Sequence, residues 1–373
     1  MRNVIGIVNL HDCPHLGPIT LHRPTGAVSF LGRYALMDFT LSNFTNSGID
    51  KVAVLAEYSA HSVRNHLKNG EVWIKNTKLG FQRILTNEDL LQVSKFNTDV
   101  NNIIANKNVF IEQDPDYIVV APVFMLMSYD YHQLLEAHVA SGADVTILCK
   151  HLKNNTDKDF FNCDIVDLDS DGNIAHFVTN TCRRKEADVS LESFIFTRES
   201  FAKIIAAGKD ISLLYSLRKL VAHFVENKLI VAKPCFFDGC VIPILSFEHY
   251  VRHSFDLLKY EKRMELFKED WPIYTTTHNT PPALYGDRAI VCNSFIANGC
   301  IVKGKVKNSI ISRDVIIEEG ASVEDSIIFT QAEIGPGVKV KNVMADKHSK
   351  LIELKRVGSE KEEILYIGRG ERV

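Results

Sequence analysis

No Cys-x-x-Cys pair occurs in this sequence; its eight cysteines, at 13, 149, 163, 182, 235, 240, 292 and 300, are scattered. That spacing argues against a zinc site or a disulfide framework and for reduced thiols, hence a cytoplasmic location. No apolar run reaches the roughly 18–20 residues that span a bilayer. The start, MRNVIGIVNLHD, is apolar only briefly and lacks the long hydrophobic region and small-residue cleavage site of a secretory signal. Neither sign of charge is in excess. A formal net charge of −3 gives no reason to expect nucleic acid or an anionic membrane as a partner. Glycine is missing where it would matter most. The apolar run VIGIVNL has the look of a strand delivering the backbone to a phosphate loop, yet it is followed by His11, Asp12, Cys13, Pro14 and His15. A phosphate loop needs backbone N–H groups at close approach, and a Cβ obstructs them.

What is present divides in two. A chain of 373 residues exceeds one ordinary core. Up to about residue 250, short apolar runs (Val4–Leu10, KVAVLA, YIVVA, DVTILC) alternate with helical stretches. The helical stretches run from Leu36 to Ser47 before Gly48, from Ser59 to Gly70, and from an Asp130 cap to Gly142. This alternation predicts a mostly parallel sheet covered on both faces, with ligands beyond the strand ends, at the loops after Leu10, Ala56 and Ala121. From about residue 285 the pattern changes. Ile310, Ile316, Ile328, Ile334 and Val340 fall on one six-residue lattice, broken at Ser322, and Ile311, Ile317, Val323 and Phe329 on a second. That period predicts a parallel β-helix of hexapeptide repeats, whose open end strands invite assembly. The boundaries read as 1–262 for the α/β domain, 263–286 for a Pro- and Thr-rich linker, and 287–373 for the β-helix.

The stretch AVSFLGRYALMDFTLSNFTNSGIDKVAVLAEYSAHSVRNH, and in order EAHVASGADVT, DSDGNIAHFV, NSFIANGCIVKGKV and EDSIIFTQAEIGPG, resemble the bacterial glucose-1-phosphate adenylyltransferases (ADP-glucose pyrophosphorylases) over nearly the whole chain. The resemblance implies an α/β class, a Rossmann-like nucleotidyltransferase domain on a mixed sheet, followed by a left-handed parallel β-helix. Joining ATP to a sugar phosphate needs donors around the triphosphate, a divalent metal held by carboxylates, and cations on the incoming phosphate.

Carried over one position at a time, those requirements fail. The family's G-G-x-G-x-R-L loop is replaced by Asn9–Leu16, including His11. The lysine of K-P-A-V falls on Thr25, an arginine on Ala35 and the glutamine of T-Q-Y on Glu57. The metal-binding aspartate of L-x-G-D-H falls on Phe124, and the E-K-P run on Thr179, Asn180 and Thr181. The second metal aspartate falls near Pro243, with Asp238 a nearby alternative. No carboxylate stands at Phe124 to hold Mg²⁺, and several such losses together remove most of the rate. The resemblance therefore points to the family's non-catalytic, D-type branch. It implies no catalytic residue and no metal or cofactor of this chain's own. Mg²⁺ is expected in a catalytic partner subunit, within a hetero-tetramer or, alternatively, a homo-oligomer. A weak enzyme using Asp238 and His15, and a stand-alone sugar-phosphate or nucleotide sensor, are the other readings.

Arg33 aligns with a lysine tied in the family to sugar-phosphate effectors, and is the effector-binding candidate. Asp38 and Asn43 read as backbone ties. The pairs His11/His15 and His249/His253 have helical metal-ligand spacing, but Pro14 interrupts the first and the second lacks a third ligand. Asp167, Asp169 and Asp171 before Gly172 read as a turn, without the glutamate of a calcium loop. Lys303, Lys305 and Lys307 read as a solvated face, with an anion-binding groove between domains as the alternative.

Overall fold

A computed structural model describes residues 2–57, 60–76, 78–87, 97–155, 158–359 and 363–373. The helix start expected at Ser59 lies outside these residues. The first half is built on the strands β1 (Val4–Asn9), β2 (Ser29–Phe30), β3 (Tyr34–Ala35), β4 (Lys51–Leu55), β5 (Phe81–Leu85), β6 (Tyr117–Pro122), β7 (Met125–Leu126), β8 (Val145–Leu152), β9 (Asp164–Leu168), β10 (Ile174–Thr179), β11 (Ala187–Thr197), β12 (Ala232–Phe236) and β13 (Ile242–Pro243). The large sheet runs β10-β9-β11-β6-β1-β4-β5, with β8 on the other edge of β11 and β12 beyond it. Strands β5, β4, β1 and β6 are parallel. The sheet is mixed, as the family resemblance implies, and less parallel than the alternation of strands and helices alone predicts. The 11-residue β11 lies antiparallel to both β6 and β8, and β9 and β10 form a hairpin. Alternation of strands and helices could not reveal this, because the reversal comes from strands joined without an intervening helix.

Apolar residues fill both faces. Ile5 and Ile7 face one core with Val145, Ile147 and Phe196, whereas Val8 faces the other with Phe39, Phe44 and Tyr131. Alternation along a strand buried on both sides requires this. The helix Met37–Asn46 ends before Gly48, whose φ of +73° is cheap only for glycine. Asp130 caps Tyr131–Ser141 by accepting from the His132 amide. Asp169 accepts from the amides of Asp171 and Asn173, closing the β9–β10 turn as expected.

The C-terminal part is a left-handed β-helix built of three five-stranded parallel sheets. From Lys305 to Arg356 its turns are one residue short of three hexapeptides along one sheet. Lys305 pairs with Ser322, Ser322 with Lys339 and Lys339 with Arg356, each a step of 17. The two lattices in the sequence therefore trade places. Ile311, Ile317 and Val323 point inward on one turn, and Ile328, Ile334 and Val340 sit against them on the next. Ile310, Ile327 and Phe329 face instead into the core shared with the α/β domain. Asn293, Asn308, Asp325 and Asn342 stack at one corner, all with φ between 45° and 52°. Asn and Asp tolerate that conformation better than other side chains, and Asn293 donates to Asn308, which donates to Asp325.

The Pro/Thr-rich connection is held along its length. Helix Tyr260–Leu266 runs through the 262/263 position. Beyond it, Trp271 donates its indole N–H to Asn43, Tyr274 and Ser42 exchange two hydrogen bonds, and Thr276 donates to the His66 carbonyl. Arg313 of the β-helix donates to the Thr276 carbonyl from the other side. Gly32 (φ +80°) completes the junction. A Cβ there would lie 2.9 Å from the Ile311 carbonyl oxygen, so only glycine permits this approach.

Candidate functional site

Strands β1, β4 and β6 deliver their carboxyl ends to one edge, the expected place for a ligand in an α/β sheet. The loop after β1 is fastened there by its own polar groups. The Asn9 side chain donates to Asp99 at 2.8 Å and accepts from the His11 amide. The His11 ring is 3% exposed; Nδ1 meets the Asn97 carbonyl and Nε2 the Asn102 amide, both at 3.1 Å. Burial holds His11 down to about 4, so it is a neutral structural imidazole at pH 7. Thr25 is buried and donates to the Pro14 carbonyl at 2.9 Å, pinning the far end of the loop.

Asp12 sits at the loop's tip with φ +52°. It lines three cavities: about 20 Å³ against Asp99, Phe124, Glu192 and Arg218; about 380 Å³ with His15, Arg23 and Glu57; and about 480 Å³ with Lys158, Asn162, Glu192 and His249. Its charge is felt throughout. Burial, then Asp12, raises Glu57 above the usual carboxylate range. Burial, then Asp12, pushes Asp99 up to about 6, against hydrogen bonds from the Leu217 amide, Asn9 and the Val100 amide. Glu192 is held at about 7 by burial, with Arg218 opposing and Asp164 and Asp12 reinforcing. The Cys13 thiol is raised by burial and by Glu192, Asp12 and Glu57, which makes it a poor nucleophile.

Arg218 occupies the middle of the site. It contacts Glu192 at 2.6 Å and Asp164 at 2.7 Å, so its charge is already committed. Glu192 has φ +53° at the point where β11 slips register between Ser190 and Ser193, and this bulge turns its carboxylate inward. Glu192, Arg218 and Asp12 were not singled out from the sequence. The available signal was one acid, Glu192, inside the strand run LESFIF, where the only other polar residue is Ser193.

The positions that the resemblance marks as degenerate do not form one cluster. Phe124 and Pro243, inferred from distant motifs, are neighbours: Pro243 pairs with Met125, and the Ile244 amide donates to the Phe124 carbonyl at 2.7 Å. Both side chains are buried, and neither offers a metal a donor. Glu57, His11 and Thr25 line the 380 Å³ cavity. Asn180 and Thr179 do not line these cavities. Asn180 exchanges two amide hydrogen bonds with Asn155 and donates to the Phe160 carbonyl, bracing the wall from behind, while Thr179 is exposed on β10. Asp238 is exposed and lines none of the three. Among the described residues no group of three or more His, Cys, Asp or Glu side chains could hold a metal ion.

Ala35 and Arg33 lie elsewhere, at the junction with the β-helix. The Ala35 amide donates to Asp38, whose other oxygen is 2.6 Å from His66 Nε2. Asn43 donates to the Met127 carbonyl and accepts from the Tyr129 amide, so both residues tie backbone as expected. Arg33 is exposed, stacked on Tyr34, and close enough to Arg313 to depress it, second only to burial. Lys347 is lowered to about 8 by burial and by Arg23, Arg369 and Arg313. His278 is held at about 4 by burial and by Arg313, Lys68, His66 and Lys347. Against these cations stand Asp38, Asp314 and Asp346, the last in a buried pair with Arg23 at 2.6 Å. Arg313 Nε and Arg23 Nη1 are buried without a hydrogen-bond partner. Lys305 and Lys307 are not part of this junction; they point outward from the middle sheet of the β-helix.

The fold and the strand-end site define a nucleotidyltransferase domain carrying a hexapeptide β-helix. Residues 14–226 match the nucleotidyl transferase family, and residues 281–364 match the GlmU-like C-terminal hexapeptide family. Glucose-1-phosphate adenylyltransferase 2 of Vibrio cholerae is 30% identical over 371 residues, covering 92% of this chain and 89% of that protein. The protein of the same name in Alkalilimnicola ehrlichii is 27% identical, covering 92% and 86%. Glucose-1-phosphate adenylyltransferase of Bacillus cytotoxicus is 26% identical, covering 95% of each. The chain belongs to the glucose-1-phosphate adenylyltransferase family. No helix among the described residues is long and apolar enough to cross a membrane.

Proposed function

We propose that this chain is a non-catalytic, regulatory subunit of glucose-1-phosphate adenylyltransferase, serving ADP-glucose and glycogen synthesis in the cytoplasm through a catalytic paralogue. The observation that carries this reading is the conversion of the strand-end site. Phe124 and Pro243 close the expected metal position with carbon, and Asp12, Glu57 and Glu192 face the space a triphosphate would enter. Adenylyl transfer stabilises added negative charge with donors and a divalent cation. Here the central cation, Arg218, is already paired with two carboxylates. Mg²⁺ is then held by the catalytic partner, and the two kinds of chain form a hetero-tetramer.

The regulatory part of the reading is supported at the domain junction. Arg33, Lys68, Arg313 and Lys347 converge with few acids, and the buried Arg313 Nε lacks a partner. An anionic effector such as a sugar phosphate would satisfy these groups. To test the whole reading, ADP-glucose formation is measured for the purified chain, for the catalytic paralogue and for the co-expressed pair. The expected result is no turnover by this chain alone with ATP, glucose 1-phosphate and Mg²⁺, and altered turnover or effector response by the pair. Turnover by this chain alone, abolished by Asp238→Asn and His15→Gln together, would instead establish the weak-enzyme alternative.

A further inference from the structure

Lys305 and Lys307 belong to a charged face on the middle sheet of the β-helix. That sheet turns two columns of side chains outward. The first is Ile290, Lys305, Ser322, Lys339, Arg356, and the second is Cys292, Lys307, Glu324, Lys341, Gly358. Between them Val306, Val323 and Val340 point inward and are buried. The ten outward positions carry five cations and one acid, in a chain whose formal net charge is −3. All five basic side chains are exposed, and among the described residues none of them is in an ion pair. Cations nearby are neutralised. Lys350 meets Glu333 at 2.8 Å on the next strand of its own sheet, Lys303 meets Glu318 at 2.9 Å, and Arg288 meets Glu319 at 3.0 Å. The stacking of turns thus accommodates opposite charges on adjacent strands. On the middle sheet it brings Lys339 directly opposite Arg356, and like charges so placed destabilise a sheet.

We propose that this face binds a linear polyphosphate, laid along the β-helix axis. The two columns line a groove of about 700 Å³ whose floor is kept low by Gly304, Gly320 and Ala321. Adjacent strands are about 4.8 Å apart, so Lys305 and Arg356, three strands on, are separated by about 14 Å. A single sugar phosphate cannot reach all of these cations, whereas a chain of phosphates meets them in succession. Lysine suits such a ligand, because its ammonium is a compact point charge that needs no fixed partner geometry. The groove selects among polyanions. No aromatic side chain lines it, so the bases of a single-stranded nucleic acid find no stacking platform. An acidic peptide finds no strand edge to extend, because the inner strands of this sheet are paired on both sides. A polyphosphate requires neither. This surface is remote from the cations of the domain junction, and it does not depend on whether the strand-end site is catalytic.

The test is fluorescence anisotropy of end-labelled inorganic polyphosphate titrated with the full chain, beside the variant Lys305→Gln/Lys339→Gln/Arg356→Gln. The three side chains are exposed, so the variant is expected to keep its circular dichroism. Wild-type affinity is expected to fall about 100-fold between about 50 and 200 mM salt, as five charge contacts require. The variant should bind more weakly and lower the slope of log affinity against log salt by about 2. A wild type that does not bind, or a variant that binds as the wild type does, overturns the proposal. Equal or tighter binding of a single-stranded oligonucleotide, polyglutamate or anionic vesicles at the same salt also overturns it. So does loss of binding in Arg33→Gln/Lys68→Gln, which leaves this face intact and alters the domain junction. If the triple variant fails to fold, amine-reactive footprinting of the wild type decides the matter. Polyphosphate that slows modification of Lys305 and Lys339 but not of Lys350, on the neighbouring sheet, supports the site. Modification of Lys305 and Lys339 that is indifferent to polyphosphate, or slowed equally at all three lysines, overturns it.

Discussion

Arg218 Nη1 donates to Glu192 Oε1 at 2.6 Å, across the space where the family's chemistry is expected. The pair is partly screened, with side-chain exposures of 36% and 11%. Replacing Arg218 with Met leaves Glu192 and Asp164 facing one another without a cation. The expected loss is about 1–3 kcal/mol, below that of a fully buried pair because of solvent access. Denaturant titration measures it. Arg218→Met/Glu192→Met should cost less than the single change, and a double variant weaker than the single would contradict this account.

The raised carboxylates give a pH dependence of definite sign. Glu192 at about 7 and Asp99 at about 6 bind protons more tightly when folded than when unfolded. Their contribution is complete below the ordinary carboxylate range and is lost as pH rises through 6 to 7. His11 works oppositely. Lowered to about 4, it contributes fully above its ordinary 6.5 and its contribution is lost as pH falls toward 4. The carboxylate effect is therefore read as a difference between wild type and Glu192→Gln. Unfolding free energies across pH 4.5–8 should show the variant gaining on the wild type as pH rises. Parallel curves would rule out a proton on Glu192.

The Arg23–Asp346 pair joins the α/β domain to the β-helix with side chains 4% and 1% exposed. Asp346→Asn should cost about 3–5 kcal/mol, because it strands a buried guanidinium whose Nη1 already lacks a partner. Scanning calorimetry should show both halves melting together in the wild type and a lower transition temperature in the variant.

Restoring one acid should not restore chemistry. Phe124→Asp puts a carboxylate beside Pro243 and near Asp12 and Glu192, with no cation left to receive it. The variant is expected to be less stable by about 2–4 kcal/mol and to form no ADP-glucose alone. Measurable Mg²⁺-dependent product would contradict the reading of this site as beyond simple reversion.

Asn180→Ala tests the wall behind the site. It removes the exchange with Asn155 and the bond to the Phe160 carbonyl, leaving buried polar groups unmet. A cost of about 2–3 kcal/mol is expected in the same titration.

Much of this was legible in the residues. The capped helices at Asp130 and before Gly48, the turn at Asp169 and the six-residue lattice each have a local cause, and local causes are written in short stretches. The exchange of the two lattices at Ile328 was not legible, because the one-residue shortening of the turn between Ile311 and Ile328 shows only when successive turns are stacked. The antiparallel β11 was hidden because it follows β8, β9 and β10 without an intervening helix, and its partners lie up to about 80 residues earlier in the chain. In the site, the missing glycines and the apolar Phe124 could be seen as absences. What replaced them, Arg218 held by Glu192 and Asp164, rests on a backbone bulge and on residues up to 54 apart in sequence, and no motif joins them.

The connection between the domains has a practical consequence. Residues 271–277 lie within the stretch read from composition as a linker, yet Asn43, Ser42 and His66 hold them on one side and Arg313 on the other. A protease that favours Pro/Thr-rich connectors finds no slack there, and a chain cut at this point leaves unmet polar groups on both pieces. The α/β half and the β-helix are thus expected to resist separation by limited proteolysis at this connection.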